Sequence, residues 1–241
     1  MSKIKKNALI CLMGDDRRYI VKAKGEFSTN NGQIDLGALA GKEYGIKAKT
    51  HLGKEFTVIE PRLVDLRPKR LPQIVMPKDI GLIIGHTGLG KKDIVVEAGT
   101  GSGVMTMALA NIAKKVHTYE IREDFFKVAT ENLKGMKNVD MKNKDVCKGI
   151  EEKDIDVVIL DMGAPENAID EAYKALKPGG FLVVYSPVIE QIDRVYSKLG
   201  KFTSIRTIEG IQRDWDIGNN KTRPRTRMLG HTAFLTFARR M

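Results

Sequence analysis

The sequence predicts an α/β protein in which a doubly wound, mostly parallel β-sheet follows a small N-terminal β-domain. Three observations support this class. Short apolar runs alternate with helical segments from residue 77 onward, and the first sixty residues contain only short strands and turns. One apolar run ends in a glycine-packed turn, V-V-E-A-G-T-G-S-G-V at residues 95–104. Alternating strands and helices are typical of a parallel sheet that helices cover on both faces.

Residues 1–66 are predicted to form a small, basic, β-barrel-like domain. Strands are expected over residues 7–13, 17–23, 33–36 and 55–60, with turns at 14–16 and 30–32. Four prolines between residues 61 and 77, with basic residues among them, break regular structure and indicate a linker. Residues 67–241 are then the second domain.

In the second domain, helices are expected over residues 78–86, 105–113, 122–134 and about 167–176. Strands are expected over residues 94–97, 116–120, 139–142, 157–160 and 181–185, the last after a turn at 177–180. In such sheets a ligand lies beyond the carboxyl ends of the strands, where the strand order reverses. Glu97, Glu120, Asp145 and Asp161 all fall at strand ends, and we expect them to converge there.

Composition excludes several classes of protein. Only Cys11 and Cys147 are present, and the four histidines lack metal-ligand spacing, so neither a disulfide framework nor a metal site is expected. There is no signal-peptide pattern and no membrane-length apolar run. We therefore expect a soluble, cytoplasmic protein.

Positive charge is concentrated at both ends of the chain. Residues 1–70 carry 15 Lys and Arg against 8 Asp and Glu, residues 71–193 carry 15 against 19, and residues 194–241 carry 11 against 3. The net charge of +11 is therefore carried by the flanks of a slightly acidic middle. Basic flanks attract polyanions and suggest a nucleic-acid substrate, although a solvated basic surface is the alternative.

The glycine turn predicts a small-molecule pocket, because glycines let backbone N–H groups approach a ligand at the start of a helix. The spacing G-x-G-x-G, with Glu97 before it and Glu120 after it, fits S-adenosylmethionine better than a dinucleotide, which would require G-x-G-x-x-G. A glycine-rich turn without a ligand is the alternative interpretation.

Each carboxylate in this region also has a structural interpretation. Glu120 can accept bonds from both ribose hydroxyls or can be a charge at a helix start. Asp145 can bind an adenine amino group or be a turn or cap residue. Asp161 ends the run V-V-I-L-D, a position from which it can face a methyl donor. The alternative is that it caps the next helix, although Pro165 and Glu166 lie nearer the start of that helix.

The chain resembles the tRNA adenine-N1-methyltransferases that modify adenosine 58 of the T loop and, in archaeal members, also adenosine 57. The resemblance covers almost the whole chain, and the last of its motifs is the most specific. The motifs are Q-I-V-M-P-K-D at 73–79, V-E-A-G-T-G-S-G at 96–103, Y-E-I-R-E-D-F at 119–125, L-D-M-G-A-P-E at 160–166, L-K-P-G-G-F at 176–181, S-P-V-I-E-Q at 186–191 and R-P-R-T-R-M-L-G-H-T-A-F-L-T-F-A-R-R at 223–240.

This resemblance implies a class I S-adenosylmethionine-dependent methyltransferase fold, a tRNA substrate, a homotetramer and Asp161 as the catalytic carboxylate. No metal or membrane is expected to take part. The implied donor site consists of Gln73, Gly99, Thr100, Gly101, Ser102, Gly103, Glu120, Phe125, Asp145 and Asp161.

Candidates for contact with the tRNA are Met76, Arg223, Arg225, Arg227 and His231. The family often has an aromatic residue or His at position 76, so a role for Met76 in holding the target base stays open. It also often has proline at position 163, and Gly163 predicts a more flexible loop after Asp161. His231 begins an apolar strand, so a hairpin role and a functional role both stay open.

Other methyltransferase classes fit the sequence less well. A carbon-methylating enzyme needs a nucleophilic cysteine, and neither cysteine lies in a proline-cysteine loop. An amino-group methyltransferase is expected to carry Pro-Pro and an aromatic residue after Asp161, and M-G-A-P lacks both. A non-catalytic tRNA-binding subunit, or an enzyme for another RNA adenine, stays as the alternative.

Overall fold

The chain forms two compact units, Met1–Arg67 and Pro68–Met241. The structure, a computed structural model, describes residues 2–15, 17–66, 68–69, 74–218 and 222–241. No helix in these ranges is long and apolar enough to cross a membrane.

The first unit is built from short antiparallel strands. They are β1 (Leu9–Met13), β2 (Arg18–Lys22), β3 (Glu26–Thr29), β4 (Gly32–Asp35), β5 (Lys47–Lys49) and β6 (Glu55–Ile59). A four-stranded sheet has the order β2-β1-β6-β5, and β3 pairs with β4 as a separate hairpin. Ile10, Leu12, Phe56 and Val58 are fully buried in its core. The sequence predicted four of these strands and missed β3 and β5, because each of these two has a single apolar residue and so shows no alternating pattern.

The second unit alternates helices and strands, as predicted. Its elements are α1 (Pro77–Thr87), β7 (Ile94–Ala98), α2 (Val104–Ala110), β8 (Lys115–Tyr119), α3 (Glu123–Asn132), β9 (Val139–Lys142), β10 (Ile155–Leu160), α4 (Ile169–Ala175), β11 (Leu176–Ser186), α5 (Ile189–Tyr196), β12 (Phe202–Glu209), β13 (Trp215–Asp216), β14 (Arg223–Pro224) and β15 (Phe234–Arg240).

Seven of these strands form one sheet in the order β12-β15-β11-β10-β7-β8-β9. The pairs from β11 through β9 are parallel. Strand β15 runs antiparallel to both β11 and β12. The strand order reverses between β7 and β10, as in doubly wound folds. The predicted α/β class with a mostly parallel sheet is therefore confirmed.

Alternate residues of the central strands enter two separate cores, because successive side chains point to opposite faces of a sheet. Val95 and Val157 pack in one cluster with Ile83 of α1 and Leu109 of α2. Val96 and Val158 pack in the other, which contains the buried residues of α4 and Val195 of α5. Burial on both faces explains why these strands read as continuous apolar runs.

Some predicted boundaries were wrong. Helix α2 ends at Ala110 rather than at residue 113, and α5 was not predicted. The expected turn at 177–180 lies inside β11, where the pairing with β10 is irregular between Ile155 and Val157. A Cβ on Gly180 would lie 2.9 Å from the Ile155 oxygen, so the glycine allows the two strands to approach at this irregularity.

Candidate active site

The glycine turn lies directly against the end of the neighbouring strand. Gly99 follows β7 with φ +91°, and a Cβ there would lie 1.7 Å from the Asp161 carbonyl oxygen. The Asp161 backbone N–H donates to the Ala98 oxygen at 2.8 Å, and the Gly99 N–H donates to the Tyr119 oxygen at 2.9 Å. Only glycine allows this approach, so the turn brings the ends of β7, β8 and β10 together.

Glu120 fixes the turn from the next strand. The residue is 5% exposed, and its carboxylate accepts the Gly101 N–H at 2.9 Å and the Arg122 N–H at 2.9 Å, one on each oxygen. Each carboxylate oxygen has a second lone pair, so Glu120 can still accept bonds from a ligand. Because Arg122 is the N-cap residue of α3, Glu120 links the glycine turn to the start of that helix.

A cavity of about 360 Å³ opens beside the turn. Among the predicted donor-site residues it is lined by Gly99, Gly101, Glu120, Phe125, Asp145 and Asp161. A separate recess of about 30 Å³ is lined by Thr100 and Ser102 and also by Gly99, Gly101 and Asp161. Gly103 lines neither space; it precedes α2 with φ +80° and a Cβ there would meet the Leu133 side chain at 3.1 Å. Gln73 lies outside the described residues.

Asp145 and Phe125 are held by local contacts at the cavity wall. The Asp145 side chain accepts the Cys147 N–H at 2.9 Å and caps a 3₁₀ turn at Val146–Lys148. It therefore has the structural role left open above and also lines the cavity. The Arg122 guanidinium lies 3.5 Å from the centre of the Phe125 ring, which is stacking distance for Arg on an aromatic face.

The carboxyl group of Asp161, which lines the cavity, has a shifted pKa. Burial and the nearby charge of Glu120, in that order, raise its pKa to about 7. The helical turn that follows begins after Ala164, so Asp161 is not its cap. A carboxylate that is costly to ionise gains from any positive charge that develops beside it, which is the property expected of an electrostatic catalyst.

Glu97 is a second buried carboxyl beneath the turn. Its Oε2 accepts hydrogen bonds from the Thr106 hydroxyl at 2.5 Å and the Thr118 hydroxyl at 2.7 Å, and the Thr118 and Thr100 hydroxyls lie 2.6 Å apart. Burial raises the pKa of Glu97 to about 8 despite these bonds. Burial therefore favours the neutral form of this carboxyl, and its hydroxyl partners tie β7 and β8 to α2 and the glycine turn.

Comparison with known proteins identifies the family of this site. The model of the tRNA methyltransferase complex GCD14 subunit family matches residues 58–223. The chain belongs to this family. Membership confirms the resemblance found in the sequence motifs, and it identifies the protein as a methyltransferase.

Curated relatives of this GCD14-family chain match it over nearly its whole length. The TrmI protein of Methanocaldococcus jannaschii, named tRNA (adenine(57)-N(1)/adenine(58)-N(1))-methyltransferase, is 40% identical, with 95% of this chain and 94% of that protein covered. A TrmI protein of Thermus thermophilus, named tRNA (adenine(58)-N(1))-methyltransferase, is 34% identical, with 93% of each chain covered.

Solved structures match the fold. A protein of Thermotoga maritima named SAM-dependent O-methyltransferase has a TM-score of 0.85 at 32% identity, covering 99% of this chain and 94% of that one. The tRNA (m1A58) methyltransferase TrmI of Aquifex aeolicus has a TM-score of 0.79 at 27% identity, covering 100% and 99%. The predicted class I methyltransferase fold with an N-terminal β-domain is thereby confirmed for this GCD14-family member.

The candidate tRNA contacts are not gathered at the cavity of the GCD14-family chain. Met76 is half-buried and directly precedes α1. Arg223 lies in β14, and Arg225 pairs with Asp214 and Asp216. Arg227 is exposed on the same segment. His231 lies at the end of that segment, where it contacts Glu209 and the Pro187 carbonyl.

Several cavity residues were not predicted. Gln191 of α5 donates from Nε2 to the Gly163 oxygen at 2.9 Å, and it lines the cavity together with Pro187 and Met162. Gln191 and Pro187 both lie in the motif S-P-V-I-E-Q, so the motif was the available signal. No role could be assigned to them from the sequence, because their place depends on how α5 packs on the sheet.

One cluster resembles a set of metal ligands, although the histidine spacing predicted none. Ligand atoms of His117, Asp140 and Glu152 all lie within 4.8 Å of one another. The His117 Nδ1 lies 3.0 Å from Asp140 and 3.2 Å from Glu152, and the Lys142 ammonium forms an ion pair with Glu152. The close contacts of His117 and the Lys142–Glu152 ion pair give each of these three side chains a partner in the described structure.

Proposed function

We propose that the protein transfers a methyl group from S-adenosylmethionine to N1 of adenosine 58 in the tRNA T loop. The observation that carries this proposal is the carboxyl group of Asp161, which lines the same cavity as the glycine turn and Glu120. The 40% identity to an enzyme named for positions 57 and 58 supports adenosine 57 as a second target to be tested.

The residues at the cavity are chemically suited to the proposed donor. Glu120 offers carboxylate oxygens to ribose hydroxyls, Asp145 offers an acceptor to an adenine amine, and Gly99 and Gly101 of the glycine turn line the same cavity. Bound S-adenosylmethionine supplies an electrophilic methyl group on a positively charged sulfur. Thr100 and Ser102 line a small recess that shares Gly99, Gly101 and Asp161 with this cavity.

The proposed role of Asp161 is electrostatic. Adenine N1 is a weak nucleophile, and its methylation leaves the ring positively charged. A carboxylate that accepts a hydrogen bond from the exocyclic N6 amine orients the base and gains attraction as that charge develops. Holding N1 in line with the methyl group supplies much of the remaining acceleration.

The target base in folded tRNA must be turned out of its stack, which requires contacts to the flanking backbone. The basic first unit and the exposed Arg227 are the proposed suppliers, and positive charge at both ends of the chain supports this. We also propose a homotetramer in the cytoplasm, acting without a metal ion. Large exposed apolar side chains at Ile211, Trp215 and Ile217 support contacts between copies, and light scattering measures the assembly directly.

A second candidate function is methyl transfer to an oxygen atom, because the Thermotoga maritima protein carries that name. The 40% identical relative named as a tRNA adenine-N1-methyltransferase favours nitrogen. The two functions differ in the product, so one experiment separates them.

The test is methyl transfer from labelled donor to unmodified tRNA, followed by mass spectrometry of the digested product. We expect 1-methyladenosine at position 58. The matched control is the same tRNA with uridine at position 58, and a further transcript with uridine at position 57 tests the second target. Donor binding measured by calorimetry without methyl transfer to any tRNA would support a different acceptor, and tRNA binding without donor binding would support a non-catalytic subunit.

A further inference from the structure

The segment between β12 and β15 leaves the sheet at the edge where Asp161 lies. We call its described residues, 210–218 and 222–233, the arm. Phe234, directly after the arm, pairs with Ser186 at the end of β11, and Glu209, directly before it, also pairs with Phe234. Val184 of β11 in turn pairs with Leu160, the residue before Asp161. Both ends of the arm therefore lie at the carboxyl edge of the sheet.

Sheet order places Asp161 between two halves of this edge. On one side lie the ends of β7, β8 and β9, which provide the glycine turn, Glu120 and Asp145. On the other side lie the ends of β11 and β12 and the start of β15, which provide Pro187 and the arm. A donor held by the first half leaves the second half as the side from which an acceptor reaches Asp161.

Lys78 holds both ends of the arm at once. This residue of α1 has a side chain that is only 11% exposed, beside the fully buried Asp79. Its ammonium donates to Asp79 Oδ1 at 2.6 Å, to the Gly210 oxygen at 2.7 Å and to the Thr232 hydroxyl at 2.6 Å. An ammonium has three donors, and each is used on a different segment of chain. The methyltransferase mechanism above makes no use of this lysine.

His231 makes a second link at the same place. Its Nδ1 lies 2.6 Å from Glu209 Oε1, and its Nε2 lies 2.9 Å from the Pro187 oxygen. A carboxylate and a carbonyl oxygen can only accept, so both ring nitrogens donate and the ring carries a positive charge. The Glu209 bond and the Pro187 carbonyl raise the pKa of His231, while the charge of Lys78 opposes this. Pro187 lines the donor cavity, so the imidazolium joins the arm to the cavity wall.

We propose that Lys78 and His231 are positioning residues for the acceptor. They hold the two ends of the arm against α1 and against the Pro187 turn, and so keep the acceptor side of Asp161 in the form that receives the target base. This role rests on the proposed tRNA methylation. Neither residue lines the donor cavity in the described structure. Substituting either one is therefore expected to lower activity on tRNA while leaving donor affinity unchanged.

The first test compares Lys78→Met with Lys91→Met, which removes an exposed lysine before β7 at the opposite edge of the sheet. We expect Lys78→Met to keep the donor affinity measured by calorimetry and to lose roughly ten- to a hundred-fold in kcat/KM for tRNA, because small misplacements at a reacting centre cost that much. Lys91→Met should match the wild type. A parallel loss of donor affinity in Lys78→Met would overturn the proposal.

A buried Asp79 without its partner could unfold the first variant, so His231 provides a second one. His231→Gln removes one of two links at a half-exposed position, and we expect a smaller loss in kcat/KM for tRNA with unchanged donor affinity. In the wild type, kcat/KM for tRNA should fall at alkaline pH as His231 loses its proton. Glu209→Gln should move that fall to lower pH, and His231→Gln should remove it. A fall at the same pH in all three proteins would overturn the role of His231.

Hydrogen exchange separates this inference from the proposed function. We expect faster exchange of the amides at 209–212 and 230–233 in Lys78→Met than in Lys91→Met, whether or not tRNA is the substrate. A wild-type protein that methylates no tRNA defeats the proposed function. A wild type that does so, with Lys78→Met and His231→Gln equally active, defeats the positioning role alone.

Discussion

The two halves of the active-site edge are built in different ways. On the donor side, backbone groups make the site: Gly99 approaches the Asp161 carbonyl, and Glu120 accepts N–H bonds from the turn. On the acceptor side, single side chains hold an exposed arm at its ends, through Lys78 and His231. A close backbone contact such as that of Gly99 leaves no room for an added atom, whereas a segment held by several side chains can lose one contact at a time. Substitutions in the two halves should therefore differ in both size and kind.

The largest effect is expected for Gly99→Ala on the donor side. A Cβ 1.7 Å from a carbonyl oxygen forces the backbone apart, and φ +91° adds strain for any residue but glycine. We expect donor binding to fall below calorimetric detection and the melting temperature to drop. The matched control is Gly163→Ala on the same cavity wall, where a Cβ would meet nothing within 4 Å. Equal donor binding by the two variants would show that the close approach is dispensable.

Asp161→Asn tests the point where the two halves meet. The amide has nearly the same shape but no negative charge to balance the developing ring cation. We expect the protein to fold and bind donor while kcat falls on the order of a hundred-fold or more, as for the loss of one oxyanion-type contact. Unchanged turnover in single-turnover methylation of tRNA would refute the role of Asp161, and a loss confined to donor affinity would assign the carboxylate to the donor half alone.

The pH dependence should report the same carboxyl. Because burial and Glu120 raise its pKa to about 7, the free enzyme carries a protonated Asp161 below that pH. The ionised form is the active one, so kcat/KM for the donor should fall about tenfold per unit as the pH drops below about 7. Measurement between pH 5.5 and 8.5 at constant ionic strength checks this. Glu120→Gln should move this fall in kcat/KM to lower pH, because the substitution removes the charge of Glu120, which raises the pKa of Asp161.

The same contrast decides how much the sequence could predict. The donor half lies in local motifs, where glycines and carboxylates directly follow apolar strands. The convergence of Gly99, Glu120, Asp145 and Asp161 on one cavity could therefore be predicted, and their roles toward a donor stay a prediction. The acceptor half depends on contacts between distant parts of the chain: Lys78 meets Thr232 across 154 residues. No local pattern encodes such a contact.

His231 illustrates the limit in a single residue. Its position before an apolar strand left a hairpin role and a functional role open, and the structure gives it contacts to Glu209 and Pro187 on two other segments. The raised pKa of Glu97 could not be predicted from the sequence either, because it follows from complete burial beneath the turn rather than from neighbouring residues in the chain. The register shift between β10 and β11 was also not predictable, because it is a property of the pairing of two strands and not of either strand alone.

The smallest effect is expected for single arginines of the arm. Arg225 already pairs with Asp214 and Asp216, whereas Arg227 is an exposed residue further along the arm. If Arg227 contacts one phosphate, Arg227→Ala should weaken tRNA binding only a few-fold and reduce the slope of log Kd against log salt by about 1. Lys114→Ala, which removes an exposed charge at the amino edge of β8, is the matched control. Because counterion release depends on contact with phosphate rather than on net charge, equal slopes for the two variants would place the tRNA away from the arm.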